Sequence, residues 1–591
     1  MLFSIFDPVK NSCYIFLFLF AFILSGNIFA QDDKEPQKVN IKSGYLEIRP
    51  DFPDAVIYTK DNLGQVYIVH EGVEMWCDQA FVYIKDNFVK AYGKVRILQG
   101  DTITMSSNYA EYNGNTQFAF ASGNVTLREP KTTLKTDTLY FDRIKQQAFY
   151  RSGGTVRDTA SVLTSRIGRY FAVTKKYQFL SNVVINNPKY TVHSNQLDFY
   201  SESGGAYLYG PSTIVSETST IYCERGYYDT RGDTGYFIKN SKIDYNNRTL
   251  YGDSIYFDRN ISFASATNNI MLLDTLNSSI VRGHYAEVYR DKDSVFITKR
   301  AVAITLKDND SVYVHADTLR ITGKVDNRVL RGFYRARFFK SDMSGKCDSI
   351  YVNERTGITK LIKNPVIWSE ENQMTGDTIH ILTNIETDKL DTLKVYNNAF
   401  LIQKDSIGFN QMKGRRLIGL FTENELDTVN ITQNAEVVFY AWNDKNELIG
   451  VNHTVSSSIQ ISFENQEIEG MRFLTNGDGK IYPLSMLPEE LRQLQGFNWR
   501  GDERLLTKED LFKGKPMPDL PKIKGIELPE DEGNFFDDVL EDDLIIPEAS
   551  ELESKDLQNN NDDPKALTQK KLPEKEEDEG VKKKAGIKKD N

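Results

Sequence analysis

The sequence predicts an all-β protein built as a long stack of similar units, and three observations carry that prediction. An Asp-type residue recurs at intervals of 29 to 33 residues through the body of the chain, with one double step of 58. Apolar and wetter residues alternate on its C-terminal side, which is the period of a strand and not of a helix. A small residue precedes it almost everywhere. Composition agrees: among 591 residues there are 31 Tyr and 34 Phe but only 6 His and 4 Cys. A disulfide-dense scaffold or a multi-metal protein is therefore not expected.

The N-terminus comes first. Lys10 precedes an apolar run from Tyr14 to Leu24, followed by Ser25, Gly26 and a cleavage point near Ala30. This is the order of a secretory signal peptide, residues 1–30, and the run is shorter than the ~20 residues that span a bilayer. A linker, 31–43, follows. The mature chain is expected outside the cytoplasm, with no later segment apolar enough to be a membrane helix.

The repeat occupies the next four hundred residues. Its anchors are Asp78, Asn108, Asp137, Asn195, Glu224, Asp253, His284, Asp317, Asp348 and Asp377. Two positions on come Ala80, Ala110, Leu139, Leu197 and Ile255, and four positions on come Val82, Tyr112, Phe141, Phe199 and Phe257. The residue between them is mixed: Phe81, Glu111, Tyr140, Asp198, Tyr256. Each unit thus has one buried face and one wetter face, and β-branched and aromatic residues favour strands. No unit buries its own apolar face, so its neighbours must supply the core.

The small residue before the anchor accounts for the cysteines. Cys77, Cys223 and Cys347 all occupy that column, several repeats apart, which reads as small buried residues and not as a disulfide or metal site. Glycine and asparagine recur in Tyr92-Gly93-Lys94, Ser122-Gly123-Asn124, Ser181-Asn182, Lys363-Asn364 and Asn397-Asn398. Both tolerate positive φ, so these are predicted as tight turns between strands.

The unit small-Gly-Asn-Val-x-Leu followed by Thr-Leu-x-x-Asp-x-Leu-x-Tyr/Phe-Asp resembles the OstA-like repeat of the organic-solvent-tolerance and lipopolysaccharide-transport family. Gly123 to Asp142 and Arg248 to Asp258 carry the resemblance most fully. It implies an elongated repeat β-jelly-roll, open like a folded taco, with residues 44–200 as a first region and 201–470 as further repeats. It also implies a periplasmic protein whose groove shelters lipid A acyl chains. Lipopolysaccharide is then the cargo, and inner- and outer-membrane transport components, or a second copy joined by edge strands, are the partners. Burial contributes ~0.8 kcal/mol per methylene, so such a groove holds an acylated lipid without covalent chemistry. The candidate lipid-binding residues are the fourth-position set: Tyr112, Phe141, Phe199, Phe257, Ile321, Val352 and Ile381. Ordinary core packing is the competing role for each of them.

After Arg472 the pattern changes. Residues 471–515 are predicted as a capping segment, with a short helix between Pro488 and Gly496 and with Phe497 and Trp499 packing it over the last strand. Residues 516–591 read as a disordered charged tail, with an apolar patch from Phe535 to Ile546. Gly501 to Asn591 holds 26 acidic and 16 basic side chains, so nearly all of the net charge of −11 lies there. The body lacks the basic field that nucleic acid requires.

No nucleophile elbow, P-loop, zincin pair or dinucleotide fingerprint is present, and the six histidines share no ligand spacing. The anchor carboxylates recur in every unit, as turn residues do, whereas a catalytic pair occurs once. No enzyme activity, cofactor or metal is expected. An exported β-solenoid with a structural or glycan-binding role, or less plausibly a polysaccharide lyase, stays open as the alternative.

Overall fold

A computed structural model describes residues 39–526, apart from 71, 101–102, 307–309, 325–326, 388, 444 and 465–466. The predicted signal peptide, most of the linker, and the tail beyond residue 526 with its Phe535–Ile546 patch lie outside the described residues. All the described residues fall within one compact unit.

The protein is all-β, one long antiparallel sheet laid down hairpin by hairpin. Each repeat supplies two strands, for example Ile103–Asn113 and Phe118–Arg128, then Tyr190–Tyr200 and Gly205–Ser216. Hydrophobic alternation places one row on the inside of every strand. In Tyr190–Tyr200, Tyr190, Val192 and Leu197 are buried.

The glycine- and asparagine-rich signals lie within or between collinear strands and do not reverse the chain. Phe88–Gln99 runs straight through Gly93 and Lys94, and Lys176–Asn187 runs through Ser181 and Asn182. Each such pair has positive φ: 73° and 46° at Gly93 and Lys94, 60° and 53° at Ser181 and Asn182. Two consecutive left-handed residues re-aim a strand without turning it back, as a bulge does. Pairing skips them, Tyr92 opposing Tyr109 and then Val95 opposing Ser107, with the anchor Asn108 on the other side of the gap. The chain reverses instead in turns such as Asn113–Gln117 and Asp142–Gln146.

Because the bends align from strand to strand, the sheet folds along a spine into two leaves. The first leaf holds segments such as 109–113 and 138–142, and the second holds 103–107 and 133–136. Anchors line the spine: Asp78 N–H donates to the carbonyls of Tyr92 and Gly93 at 3.0 and 2.9 Å. One continuous core fills the space between the leaves, from Val66 to Phe463. The three cysteines are in it, and burial pushes each thiol up to about 12.

The C-terminal segment packs elsewhere than over the last strand. After the edge strand Asp478–Tyr482 it makes a helical turn at Glu489–Arg492 and then runs back across the outer face of the second leaf. Leu487 and Leu494 bury Phe400, Ile402, Val438, Tyr440 and Val451, while Leu505 and Leu511 cover Val302. Two buried glutamines fasten this strap. Gln411 donates to Arg492 O and accepts from Leu494 N, both at 2.8 Å. Gln373 donates to Asn498 O at 2.7 Å and accepts from Arg500 N at 2.6 Å. Farther along, Arg337 donates to the Asp510, Leu511 and Lys513 carbonyls. Second-leaf strands under the strap are therefore buried on both faces, which is why Ala399-Phe-Leu-Ile402 breaks the alternation.

Candidate functional site

The space between the leaves is filled unevenly, and side-chain size along one row of cross-strand neighbours decides where. After Leu46 and Tyr58 the row reads Ala80, Ala91, Ala110, Ala121. Several strands on, it reads Phe179, Leu197, Leu208. Ala110 and Ala121 line a gap there that the larger side chains close farther along.

The gap is an apolar chamber of about 190 Å³. Ile68, Met75, Ile97, Met105 and Leu127 face it from the second leaf, and Val89, Ala110, Tyr112, Leu139 and Phe141 from the first. Its polar lining residues, among them His70, Asn87, Gln99, Arg143 and Gln146, stand at or beside the hairpin turns that form the two lips. Arg143 also donates to the Tyr112 hydroxyl at 3.3 Å. Such a space suits a flexible hydrocarbon with a polar end at the lips.

Its far wall is polar and fixed. Tyr170 lines the chamber and donates its hydroxyl to Glu129, to which Lys175 is also paired at 3.1 Å. Burial, with the Glu129 carboxylate beside it, raises the Tyr170 phenol well above its ordinary pKa, so it stays a donor. Behind it Tyr177 meets Thr132 at 2.9 Å and stacks with Phe179. From there large side chains fill the interior, with Phe179, Leu197, Phe199, Leu208 and Phe237 fully buried.

The seven candidate residues are thus distributed unequally. Tyr112 and Phe141 line the chamber. Phe199 lies in the filled section, wholly buried. Phe257 lines a separate void of about 20 Å³ with Tyr245 and Val288. Ile321, Val352 and Ile381 are half-buried against the far end of the core. The alanine row and the strap glutamines escaped the sequence reading. The alanines did leave a signal, since the residue two after the anchor is Ala at 80 and 110 but Leu or Ile in most later units.

Among the described residues there is no cluster of three or more His, Cys, Asp or Glu able to hold a metal, and no helix is long and apolar enough to cross a membrane. The arrangement presents a continuous apolar surface between the leaves.

A bent antiparallel sheet with an apolar chamber between its leaves defines the class, an all-β protein built from repeated hairpins. Residues 50–195 match the family described as OstA-like protein. No curated protein matches the chain. Among solved structures it is similar to LptH of Pseudomonas aeruginosa, titled the LptA homologous periplasmic component of the conserved lipopolysaccharide transport device. The identity is 16%, over 24% of this chain and 99% of that one, and the TM-score of 0.19 is too low to carry an argument.

Proposed function

We propose that this chain is a binding protein of lipopolysaccharide transport, exported to the periplasm, that shelters acyl chains of lipid A in the chamber between its leaves. One observation carries the reading: every chamber-lining residue except Val39 falls inside the OstA-like match. The physical case is independent of the match. A chamber walled by alanine, leucine, isoleucine and methionine gains ~0.8 kcal/mol for each methylene it takes from water. Its charged and amide groups sit where a head group emerges. The work is binding and hand-over, with no bond made or broken.

Sheet edges supply the partner sites. At the beginning, Asn40–Lys42 and Tyr45–Glu47 each pair on one side with the next strands of their leaf, and at the end Glu467–Leu474 and Asp478–Tyr482 pair with Leu448–Glu464. An exposed strand edge is a template for another chain. Membrane-anchored transport components, or a second copy, are the proposed occupants.

The test is to purify the full chain from native envelopes under mild conditions and identify bound lipid by mass spectrometry. A stoichiometric lipid A-bearing species, lost in Phe141→Asp, is the expected result. A folded, lipid-free protein overturns the reading and favours a structural or glycan-binding role.

A further inference from the structure

Beyond the chamber, the two lips of the folded sheet are joined. Lips are made of hairpin turns, one set from each leaf, and side chains bridge them at successive repeats. Lys175 of the first-leaf lip meets Glu129 of the second at 3.1 Å. Next, Arg231 approaches Asp158 at 3.9 Å and Asp233 accepts from Lys189 at 2.5 Å. Arg290 then donates to the Thr218 hydroxyl at 2.6 Å, and Arg328 pairs with Asp274 at 3.0 Å. Arg259 adds a cation–π contact to Tyr190, 5.2 Å from the ring centre. Several of the acids are deeply buried: the side chains of Glu129, Asp158, Asp233 and Asp274 are 6% exposed or less. These contacts join turns far apart in sequence, so they belong to the closure of the two leaves and not to the pairing of strands.

We propose that the joined lips between Glu129 and Arg328 are a closed gate. The gate confines the hydrophobic part of a ligand to the chamber within residues 39–172, and the bridges must part before a lipid bearing a bulky head group passes farther along the sheet. This rests on the lipid-binding reading of the chamber and adds to it where the cargo stops and what releases it. The physical reason is that an acyl chain can thread only if its head group rides in an open cleft. Between Glu129 and Arg328 that cleft is spanned by these bridges. Arg328 and Asp274 are buried together, the other acids are buried beneath more exposed bases, and leaving a buried acid without its partner is costly. Adjacent sites along the sheet are therefore unequal, and movement between them is a step that the gate controls.

The full chain is incubated with lipid A carrying a photoreactive diazirine in one acyl chain, irradiated, and its adducts mapped by mass spectrometry. In the wild type, adducts fall on residues 39–172. In Asp158→Asn/Lys189→Gln, and separately in Thr218→Val/Arg290→Gln, adducts beyond residue 190 rise severalfold. Adducts equally dense at Phe199 and Phe257 in the wild type overturn the gate, as does a pattern that neither double variant moves. No adduct anywhere contradicts the binding reading itself, and hydrogen exchange of the ligand-free chain then decides the gate. The lip amides of Thr230 and Arg259, bonded to Gly204 O and Asp233 O, exchange faster in the variants if the bridges hold the lips together. Unchanged exchange there overturns it.

Discussion

Asn269 donates from its side-chain amide to the Asp253 carboxylate at 2.8 Å, across the spine of the folded sheet. Asp253 is an anchor of the repeat, and Asn269 is the second of two left-handed residues, with φ of 59° and 49° at Asn268 and Asn269. The same relation recurs as Asn240 to Glu224 at 2.6 Å and Asn398 to Asp377 at 3.0 Å. The recurring acid is thus a spine residue that holds the neighbouring strand's bend.

Asn269→Val removes that bond and forces a β-branched residue to positive φ. A left-handed non-glycine residue costs ~1–2 kcal/mol, and the bond about 1 kcal/mol more. Hydrogen exchange of the flanking Met271 and Ser254 amides is expected to accelerate accordingly, with Asn269→Gly showing only the loss of the bond. Equal exchange in wild type and Asn269→Val would show that the bend is set elsewhere.

Gln411→Leu is expected to loosen the strap. The substitution suits the apolar surroundings but strands the Leu494 N–H and the Arg492 carbonyl, and an unsatisfied buried group costs ~1–3 kcal/mol. Limited proteolysis is the check: cleavage between residues 484 and 500 should quicken while the sheet stays intact.

The strap is expected to respond to pH through His315. Its Nδ1 meets Ala301 O at 2.6 Å, so Nδ1 carries the proton and Nε2 accepts from Lys515 at 2.7 Å. Phe512 of the strap packs edge-on to the imidazole, 4.7 Å between ring centres. Burial first, then Lys515 and Arg337, lower the pKa to about 4 from its ordinary 6.5, against the Ala301 bond and Asp317. The unfolded chain therefore binds more protons between those values, and stability falls as pH drops from 6.5 to about 4, then levels for this group. Asp317, held low by Lys515 and Arg335 despite its burial, contributes a separate loss below its ordinary 3.8. Thermal melts across pH 4–7 should show the first slope in the wild type and a shallower one in His315→Gln.

The thiols give a simpler check. Cys77, Cys223 and Cys347 are buried, with pKa values pushed up to about 12 mainly by burial. The thiolate is the reactive form, so iodoacetamide at neutral pH should leave all three unmodified in the native chain and alkylate all three in denaturant. Rapid labelling of any one in the native chain would contradict its placement in the core.

Much of the fold was legible because its repeat is local. The period, the alternation around each anchor and the column of small residues holding the cysteines all follow from one unit contacting the next. The bends were misread because an Asn-Asn or Gly-Lys pair announces positive φ, but φ alone does not say whether a strand reverses or is merely re-aimed. The chamber was half legible: Tyr112 and Phe141 were found by their period, but aromatics at that position fill space as readily as they line it. Absence of bulk at Ala110 and Ala121 was the better signal. The strap was illegible in its placement, since nothing near Gln373 or Gln411 announces partners more than eighty residues away.

The central claim is that the alanine-floored chamber is the ligand site, and filling it is the most direct test. In Ala110→Phe/Ala121→Phe the new rings occupy the chamber while the strands beneath them keep their pairing. Binding of purified lipid A to the full chain is measured by titration for wild type and variant, alongside their circular dichroism. The account predicts that the variant keeps its β spectrum and loses binding. Undiminished, stoichiometric binding by a folded variant would contradict it.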